Sequence, residues 1–343
     1  MDGFRKLAES RFEFMKSSVQ TVAPLRVSFV GGGTDLPSFY LQHEGAVVSC
    51  SINKYVYVHV KRHDPAFQER FRITYSEVEK THQRKSIKND IVRATLELLD
   101  FDEPVQIYTA SDLPSGSGLG SSSSFAVALL LAIHTLKGYT PSKWQLAEEA
   151  CEVELNLLAK PVGRQDQYAA AFGGLNFINF LPANKVRIQP IHIRANESRA
   201  LMSKSRLFWT GTTRLAEKIL IAQKENTASN VENLKSLANI AKDFRSILEK
   251  TEINWMRLSQ LISAGWILKK QINPIISNSY IEDLLDRASA TFGEGVKLLG
   301  AGAGGFVYSL DTKESSRVEE ISFPEPFFSP QIDEIGARVI SEI

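Results

Sequence analysis

The stretch LPSGSGLGSSSSFAVALLLAIHTL, residues 113–136, carries a loop rich in glycine and serine straight into a helix that is apolar on nearly every side. A helix of that kind is buried in the middle of a fold. Four unpaired N–H groups and the positive end of the helix dipole lie at its start, which makes a site for phosphate. A flexible linker is the alternative, but a linker would not enter an apolar helix directly. No lysine follows the glycines, so this is not the G-x-x-x-x-G-K-[ST] loop of the common nucleoside triphosphatases.

A second glycine-rich stretch lies near the C-terminus. Gly300, Gly302 and Gly305 follow the letters G-x-G-x-x-G, but residues 306–310 have a strand pattern where a dinucleotide site needs a helix. Placed between a helix and a strand, this run forms either a wall against a ligand or a tight turn without one.

The third stretch is APLRVSFVGGGTDLP, residues 23–37. Arg26 enters a short apolar strand and Asp35 follows the glycine turn behind it, so both side chains can face one cavity. Taken alone, the pattern favours a strand followed by a turn that Asp35 caps.

The composition of the whole chain excludes several classes of protein. With 343 residues, 43% of them hydrophobic and 23% charged, it is typical of a globular protein with a full core, and two domains are favoured at this length. Its formal charge of +1 gives no global attraction to nucleic acid or an anionic membrane. Two cysteines, Cys50 and Cys151, exclude a disulfide framework and a zinc site. Neither a secretory leader nor a run of eighteen apolar residues is present, which predicts a cytoplasmic protein.

The elements along the chain alternate irregularly. Residues 46–61 follow period two and predict a long half-buried strand, or two strands in one register, with Lys54 on the apolar face explained by a bulge or turn. Further strands are predicted at 71–75, 105–108, 175–180, 186–193, 207–209 and 306–310, and helices at 122–136, 142–158, 211–272 with two breaks, and 281–292. The irregular order and the lack of a repeat predict the α+β class.

Together, in this order, the three glycine-rich stretches resemble the three motifs of the GHMP kinases, the family of galactokinase, homoserine kinase and mevalonate kinase. The resemblance spans residues 23–310, and PSGSGLGSSSS is close to the family's P-x-x-x-G-L-G-S-S-A, with Ser123 in the place of alanine. GGGTDLP is most similar to the sugar-1-kinase branch that includes D-glycero-D-manno-heptose 7-phosphate kinase. Three other segments point the same way: GRQDQYAAAFGGLNF at 163–177, FWTGTTR at 208–214 and GWILKKQI at 265–272.

The resemblance implies a GHMP kinase fold of two α+β domains. Residues 21–203 would form an N-terminal, ATP-binding domain like the second domain of ribosomal protein S5. Residues 204–343 would form a ferredoxin-like C-terminal domain, and residues 1–20 an arm or short helix. ATP and sugar would lie in the cleft between the domains.

Roles for single residues also follow from the resemblance. Asp166 accepts or orients the proton of the attacking sugar hydroxyl, with Arg26 beside it, and Ser122 and Glu154 hold Mg²⁺. ATP lies on the loop made by Pro114, Ser115, Gly116, Ser117, Gly118, Leu119, Gly120, Ser121, Ser122 and Ser123. The sugar contacts Gly32, Gly33, Thr34, Asp35, Arg164, Gly302, Ala303 and Gly304.

An acceptor that already carries a phosphate needs an additional fixed cation. Galactokinase has Glu and His where this chain has Gly32 and Gly33, which leaves room for a different or larger sugar. Arg164 is the first candidate for the cation, with Arg214 and the Lys269-Lys270 pair behind it; a solvated helix end is the preferred interpretation of the two lysines.

These features predict an ATP- and Mg²⁺-dependent kinase acting at the anomeric C1 hydroxyl of a sugar, with D-glycero-D-manno-heptose 7-phosphate as the leading acceptor. The alternatives are a kinase for fucose, galactose or mannose, and a sensor that binds ATP and sugar without turnover. The predicted partner is a small-molecule sugar or sugar phosphate rather than nucleic acid or a membrane. A homodimer is left open.

Overall fold

The computed structural model of the chain describes residues 16–212, 221–222, 226–313 and 327–343. Its strands are β1 Ser18–Val30, β2 Gly45–Arg62, β3 Phe71–Thr74, β4 Val78–Thr81, β5 Val105–Ser111, β6 Leu175–Leu181, β7 Lys185–Pro190, β8 Ser205–Trp209, β9 Val296–Leu298, β10 Phe306–Leu310, β11 Phe327–Phe328 and β12 Arg338–Glu342. Its helices are α1 Pro37–Tyr40, α2 Asp90–Leu98, α3 Ser121–Leu136, α4 Lys143–Cys151, α5 Gln165–Phe172, α6 Ala195–Lys204, α7 Val231–Leu248, α8 Trp255–Ile272 and α9 Ser279–Phe292. A π-helical segment, Glu152–Leu157, continues α4, and the 3₁₀ turns are Arg84–Ser86, Ala228–Asn230 and Pro274–Ile276.

The larger sheet has the order β12-β1-β2-β5-β3-β4, and β6 joins the first half of β2 with β7 beside it. Helix α3 packs against β1 and β2. Residues 123–136 of this helix are all buried, as its apolar sequence predicts. The hydroxyl of Thr21 on β1 donates to the carbonyl of Ala128, 2.8 Å away, so the helix is fixed to the sheet by a buried hydrogen bond.

The strand predicted at 46–61 is confirmed as the single strand β2, but its first eight residues are all buried rather than half-buried. Its register against β1 pairs Pro24 with Tyr55 and Leu25 with Ile52, so the two residues between Ile52 and Tyr55 have no partner on β1. Lys54 is one of them, and its ammonium lies 5.4 Å from the centre of the Phe328 ring. The predicted bulge at Lys54 is therefore confirmed.

A smaller sheet follows later in the chain, in the order β11-β8-β10-β9. Helices α8 and α9 supply apolar side chains to the core on this sheet, where the rings of Phe208 and Phe292 lie 5.4 Å apart. Two mostly antiparallel sheets with helices in irregular order confirm the α+β class.

Several local predictions need correction. The glycine run at 300–305 joins the short strand β9 to β10 as a hairpin rather than joining a helix to a strand. Strands β4 and β12 and helix α2 are not among the predicted elements, although α2 has an amphipathic pattern that buries Ile91, Val92 and Leu96. Strand β12 returns to pair with β1 in the larger sheet. Of the predicted arm, residues 18–20 belong to β1, while residues 1–15 lie outside the described part.

The boundary between residues 203 and 204 stays a prediction. Within the stretch predicted helical from 211 to 272, the structure describes α7 and α8, and residues 213–220 and 223–225 lie outside it. No helix among the described residues has the length and apolar character needed to cross a membrane.

Candidate active site

One cleft collects residues from all three glycine-rich stretches. It contains about 950 Å³ of space between protein atoms, part of it open to solvent. Its walls come from the end of β1 and the turn after it, the loop before α3, the start of α5, helix α8 and the hairpin between β9 and β10. The cleft is a concave site with convergent polar groups, the kind of place where small-molecule ligands bind.

The loop before α3 turns its backbone toward this cleft. Gly116, Gly118 and Gly120 all have positive φ, and Gly120 is the residue that caps the helix. Because glycine has no side chain, the cap supplies no acceptor to the first N–H groups of α3, and these point outward along the helix axis. Ser121 and Ser122 lie at this start and line the cleft. The loop therefore has the open amide groups that a phosphate needs.

Arg26 and Asp166 meet across 140 residues of sequence. The guanidinium of Arg26 donates to both carboxylate oxygens of Asp166, from Nε to Oδ1 at 2.7 Å and from Nη2 to Oδ2 at 2.8 Å. Its third group, Nη1, donates to the carbonyl of Gly118 at 2.6 Å. The Arg26 side chain is 5% exposed and that of Asp166 is 23% exposed. Asp166 thus keeps contact with the cleft while Arg26 ties it to the glycine loop.

Glu154 is a buried carboxylate in the same cleft. Ser122 donates to its Oε1 at 2.6 Å, and Ser123 and Gln167 donate to its Oε2 at 2.5 and 2.7 Å. Burial raises the pKa of the Glu154 carboxyl, and these three hydrogen bonds, together with the charge of Lys160, oppose the rise. The π-helical turn after α4 carries Glu154 inward.

The donor set around Glu154 fits Mg²⁺. A carboxylate and a hydroxyl are oxygen ligands of the kind this ion prefers, and within the described residues the hydrogen-bond partners of the carboxylate are all neutral. No cluster of three or more His, Cys, Asp or Glu occurs in the part of the chain that the structure describes. An ion here would take its other ligands from water and phosphate oxygens, as Mg²⁺ commonly does.

The turn after β1 brings Asp35 to the wall of the cleft. Its Oδ1 accepts from the backbone N–H of Gly33 at 2.8 Å and its Oδ2 from the side chain of Gln165 at 2.9 Å. Burial, followed by the nearby charge of Asp166, raises the pKa of the Asp35 carboxyl. Gly32 and Gly33 line the cleft beside it.

Thr34 does not line the cleft, contrary to its predicted sugar contact. Its hydroxyl is fully buried and donates to the carbonyl of Gly31 at 2.8 Å, while the N–H of Ala46 donates to it at 3.0 Å. The hydroxyl therefore holds the turn against the start of β2.

Four residues of the predicted ATP loop also lie away from the cleft walls. Pro114 and Ser115 are exposed, whereas Ser117 and Leu119 are fully buried. The carbonyl of Ser117 accepts from the N–H of Phe306 at 3.1 Å, which joins the loop to β10. The part of the loop that faces the cleft is Gly116, Gly118 and Gly120 to Ser123.

The hairpin from β9 to β10 contributes Gly300 and Ala301 to the cleft. The predicted sugar contacts Gly302, Ala303 and Gly304 do not line the cleft. A Cβ on Gly302 would lie 2.6 Å from the side chain of Ile276, so this end of the hairpin packs on protein. Ala303 is buried there too, and its N–H donates to the carbonyl of Ile276 at 2.7 Å.

Arg164 lines a different cavity, so its predicted place beside the sugar is corrected. Its Nη2 donates to the Glu148 carboxylate at 2.7 Å and its Nη1 to the side chain of Asn184 at 2.8 Å. Residues two apart at a helix start point about 200° away from each other, which separates Arg164 from Asp166. Arg214, the second predicted cation, lies outside the described residues.

Two buried lysines complete the cleft. Lys269 is 9% exposed and its ammonium donates to the carbonyl of Gly300 at 2.5 Å, so the interpretation as a solvated helix end is wrong for it. That interpretation holds for Lys270, which is partly exposed and pairs with Glu282 at 2.7 Å. Lys297 donates to the carbonyls of Ser28 and Phe29, both at 3.0 Å.

A sequence signal exists for one of these lysines. Lys269 falls at helical spacing on the buried stripe of α8 that contains Ile262, Trp266 and Ile272. Lys297 lies in a three-residue strand that is buried throughout, and no periodicity marks it.

The chain is similar in sequence to several known proteins. Residues 87–174 match the profile of the GHMP kinases N terminal domain. A protein of Campylobacter jejuni named D-glycero-alpha-D-manno-heptose 7-phosphate kinase is 32% identical, and the match covers 85% of this chain and 88% of that one. A bifunctional fucokinase/GDP-fucose pyrophosphorylase of Arabidopsis thaliana is 26% identical over 90% of this chain and 31% of its own length.

Two solved structures have the same fold. A D-glycero-D-manno-heptose 1-phosphate kinase from Bacteroides thetaiotaomicron superposes with a TM-score of 0.77 at 23% identity, covering 94% of this chain and 99% of the other. A galactokinase of Lactococcus lactis complexed with galactose gives 0.72 at 16% identity, covering 98% and 99%. The predicted fold is therefore confirmed.

Proposed function

The chain belongs to the GHMP kinase family and is a sugar kinase of it, and we propose that it transfers the terminal phosphoryl group of ATP to the anomeric C1 hydroxyl of a sugar. The leading acceptor is D-glycero-D-manno-heptose 7-phosphate. The Campylobacter jejuni relative that carries this substrate in its name matches both chains over more than four fifths of their length. Two glycines at positions 32 and 33 leave the acceptor side of the cleft open.

The observation that carries the proposal is the position of the Arg26–Asp166 pair. Arg26 donates hydrogen bonds both to the carboxylate of Asp166 and to the carbonyl of Gly118. The Asp166 carboxylate therefore lies against the loop proposed to hold the triphosphate. Phosphoryl transfer depends on this alignment because the protein contributes mainly position and charge.

Each side chain then has a defined task. N–H groups of Gly116, Gly118 and Gly120 to Ser123, with the guanidinium of Arg26, stabilise negative charge on the phosphate oxygens. Asp166 orients the attacking hydroxyl, and an anomeric hydroxyl, more acidic than an ordinary alcohol, needs little further activation. Glu154 and Ser122 would hold Mg²⁺, which supplies positive charge to the phosphates when bound.

The domain division stays part of this proposal. With a boundary between residues 203 and 204, the loop before α3 and Asp166 come from one domain and the hairpin of Gly300 from the other. ATP and sugar would be enclosed between them.

A panel of sugars tests the proposal. The full chain is incubated with ATP, Mg²⁺ and one acceptor at a time, ADP release is followed, and the product phosphate is located by NMR. We expect turnover with the heptose 7-phosphate and the new phosphate at C1, and a rate about 10²- to 10⁴-fold lower in an Asp166→Asn variant. Phosphorus on another carbon would refute C1 specificity. Absence of ADP release with every sugar, despite stabilisation by ATP, would favour a sensor instead.

A kinase for fucose is the second candidate. The fucokinases of Arabidopsis thaliana and Bacteroides fragilis match 90% and 87% of this chain, although the chain spans only 31% and 35% of their lengths. Fucose carries no phosphate, so comparing fucose with the heptose 7-phosphate in the same assay separates the two candidates.

A further inference from the structure

Lys269 is a buried cation that the proposed mechanism does not yet use. It comes from helix α8 and reaches the cleft through the apolar stripe of that helix. The carbonyl of Gly300, at 2.5 Å, is the acceptor its ammonium binds. An ammonium has three N–H groups, so a single carbonyl leaves capacity for a further acceptor.

No carboxylate among the described residues pairs directly with Lys269, although the charges of Asp35 and Asp166 act on it from farther away. Within the described part of the chain, no carboxylate lies within 4.0 Å of the ammonium of Lys269 or of its neighbour Lys297. Both oxygens of the nearby Asp166 carboxylate already accept hydrogen bonds from Arg26. Burying a cation without a directly paired counter-ion is costly, so an anionic ligand would be favoured at this point.

Two cations bracket the place where the glycine loops touch. Arg26 binds the carbonyl of Gly118 and Lys269 binds the carbonyl of Gly300. The two glycines are in close backbone contact, since a Cβ on Gly300 would lie 2.5 Å from the Cα of Gly118. The proposed function puts the terminal phosphoryl group at this junction.

We propose that Lys269 is a further catalytic residue, whose ammonium binds an equatorial oxygen of the phosphoryl group during transfer. The inference rests on the proposed function. In the step, a bond forms between the acceptor oxygen and the terminal phosphorus, and the bond from that phosphorus to the bridging oxygen breaks, so that ADP leaves. The proton of the acceptor hydroxyl goes to Asp166 or to solvent. Lys269 keeps its proton throughout and acts through charge alone.

The test compares Lys269→Met and Lys269→Arg with Lys270→Met, a matched control on the neighbouring, partly exposed lysine. Steady-state kinetics are measured with a phosphorylated and an unphosphorylated acceptor. We expect Lys269→Met to lower kcat by about 10²- to 10³-fold with both acceptors, as loss of one charge-stabilising donor does. Lys269→Arg should recover most of the rate because it retains the charge, and Lys270→Met should match wild type.

A pH profile separates catalysis from a structural role. Burial lowers the pKa of Lys269 to about 8, with the charge of Asp35 opposing this and that of Arg26 adding to it. Asp166 on α5 and Lys297 on β9 also face it. In wild type, kcat/KM for ATP should therefore fall as pH rises past about 8. The fall should be absent in Lys269→Met and shifted to higher pH in Lys269→Arg.

Three results would overturn the inference. One is a Lys269→Met enzyme as active as the Lys270→Met control. Another is a loss confined to the phosphorylated acceptor, which would put Lys269 on the acceptor's own phosphate. The third is an alkaline fall that persists in both variants, which would belong to another group. If Lys269→Met does not fold, the pH profile of Lys269→Arg tests the inference: an alkaline fall at the wild-type pH would overturn it. A wild-type enzyme inactive on every sugar would refute the proposed function instead.

Discussion

The ion pair between Arg26 and Asp166 gives the sharpest prediction, because stability and activity should respond to it differently. Asp166→Asn removes one charge and keeps the side-chain shape. Arg26→Met removes the other charge and keeps most of the apolar stem. The double variant removes the pair altogether.

The expected effect on stability follows from burial. Asp166→Asn leaves the guanidinium of Arg26, 5% exposed, without its anion. Breaking a buried pair costs about 3–5 kcal/mol, and because the Asp166 side chain is 23% exposed we expect about 2–3 kcal/mol. Arg26→Met leaves a carboxylate that reaches solvent and should cost about 1–2 kcal/mol. The double variant should be more stable than the sum of the two losses by about 2 kcal/mol.

Activity should show no such recovery. Removing the group that orients the hydroxyl should lower kcat by about 10²- to 10⁴-fold, and the double variant should be at least as slow. Urea unfolding gives the free energies and ADP release gives the rates. Strictly additive stability losses would refute the ion pair, and an Asp166→Asn enzyme within a few-fold of the wild-type rate would refute the catalytic role.

Three further predictions concern other parts of the molecule. Gly300→Ala should raise KM for ATP, because φ is +72° and the new Cβ would meet Gly118 at 2.5 Å; Gly138→Ala, at φ +79° with nothing within 4 Å, should leave KM unchanged. Because burial raises the pKa of Asp35, its contribution to stability is complete below about pH 4 and is lost as pH rises through the raised pKa. As pH rises over that range, wild type should therefore lose stability relative to Asp35→Asn, which urea titrations at each pH measure as the difference in free energy of unfolding. A difference that stays constant with pH would contradict the burial argument. Arg164→Met should lower stability by about 1–3 kcal/mol without changing the ratio of kcat/KM between phosphorylated and unphosphorylated acceptors, whereas a selective loss would return Arg164 to the acceptor site.

Local patterns predict the central elements well. Helix α3 follows from an apolar run that only a buried helix accommodates, and β2 from strict alternation. The bulge at Lys54 agrees with the same alternation, because a shift of register there takes the charged residue out of the apolar face. These features depend on neighbours in sequence, so sequence suffices for them.

Positions that depend on packing between distant segments are harder to predict. Arg164 lies two residues from Asp166 in sequence, yet the helix turns it into a separate cavity against Glu148. Lys269 has a charged neighbour that suggests a solvated helix end, whereas the buried stripe of α8 carries it into the cleft. Lys297 donates to the carbonyl of Ser28 on β1, a strand that is distant from it in sequence. Charge and proximity in sequence do not determine which face of an element a residue occupies.

The most direct test is a crystal structure of the chain with a non-hydrolysable ATP analogue, Mg²⁺ and the acceptor sugar. We expect the triphosphate against the N–H groups of Gly116, Gly118 and Gly120 to Ser123, and the metal at Glu154 and Ser122. The acceptor oxygen should lie about 3–3.5 Å from the terminal phosphorus, beside the carboxylate of Asp166. A nucleotide bound in the cavity of Arg164, or a terminal phosphate turned away from Asp166, would contradict this expectation.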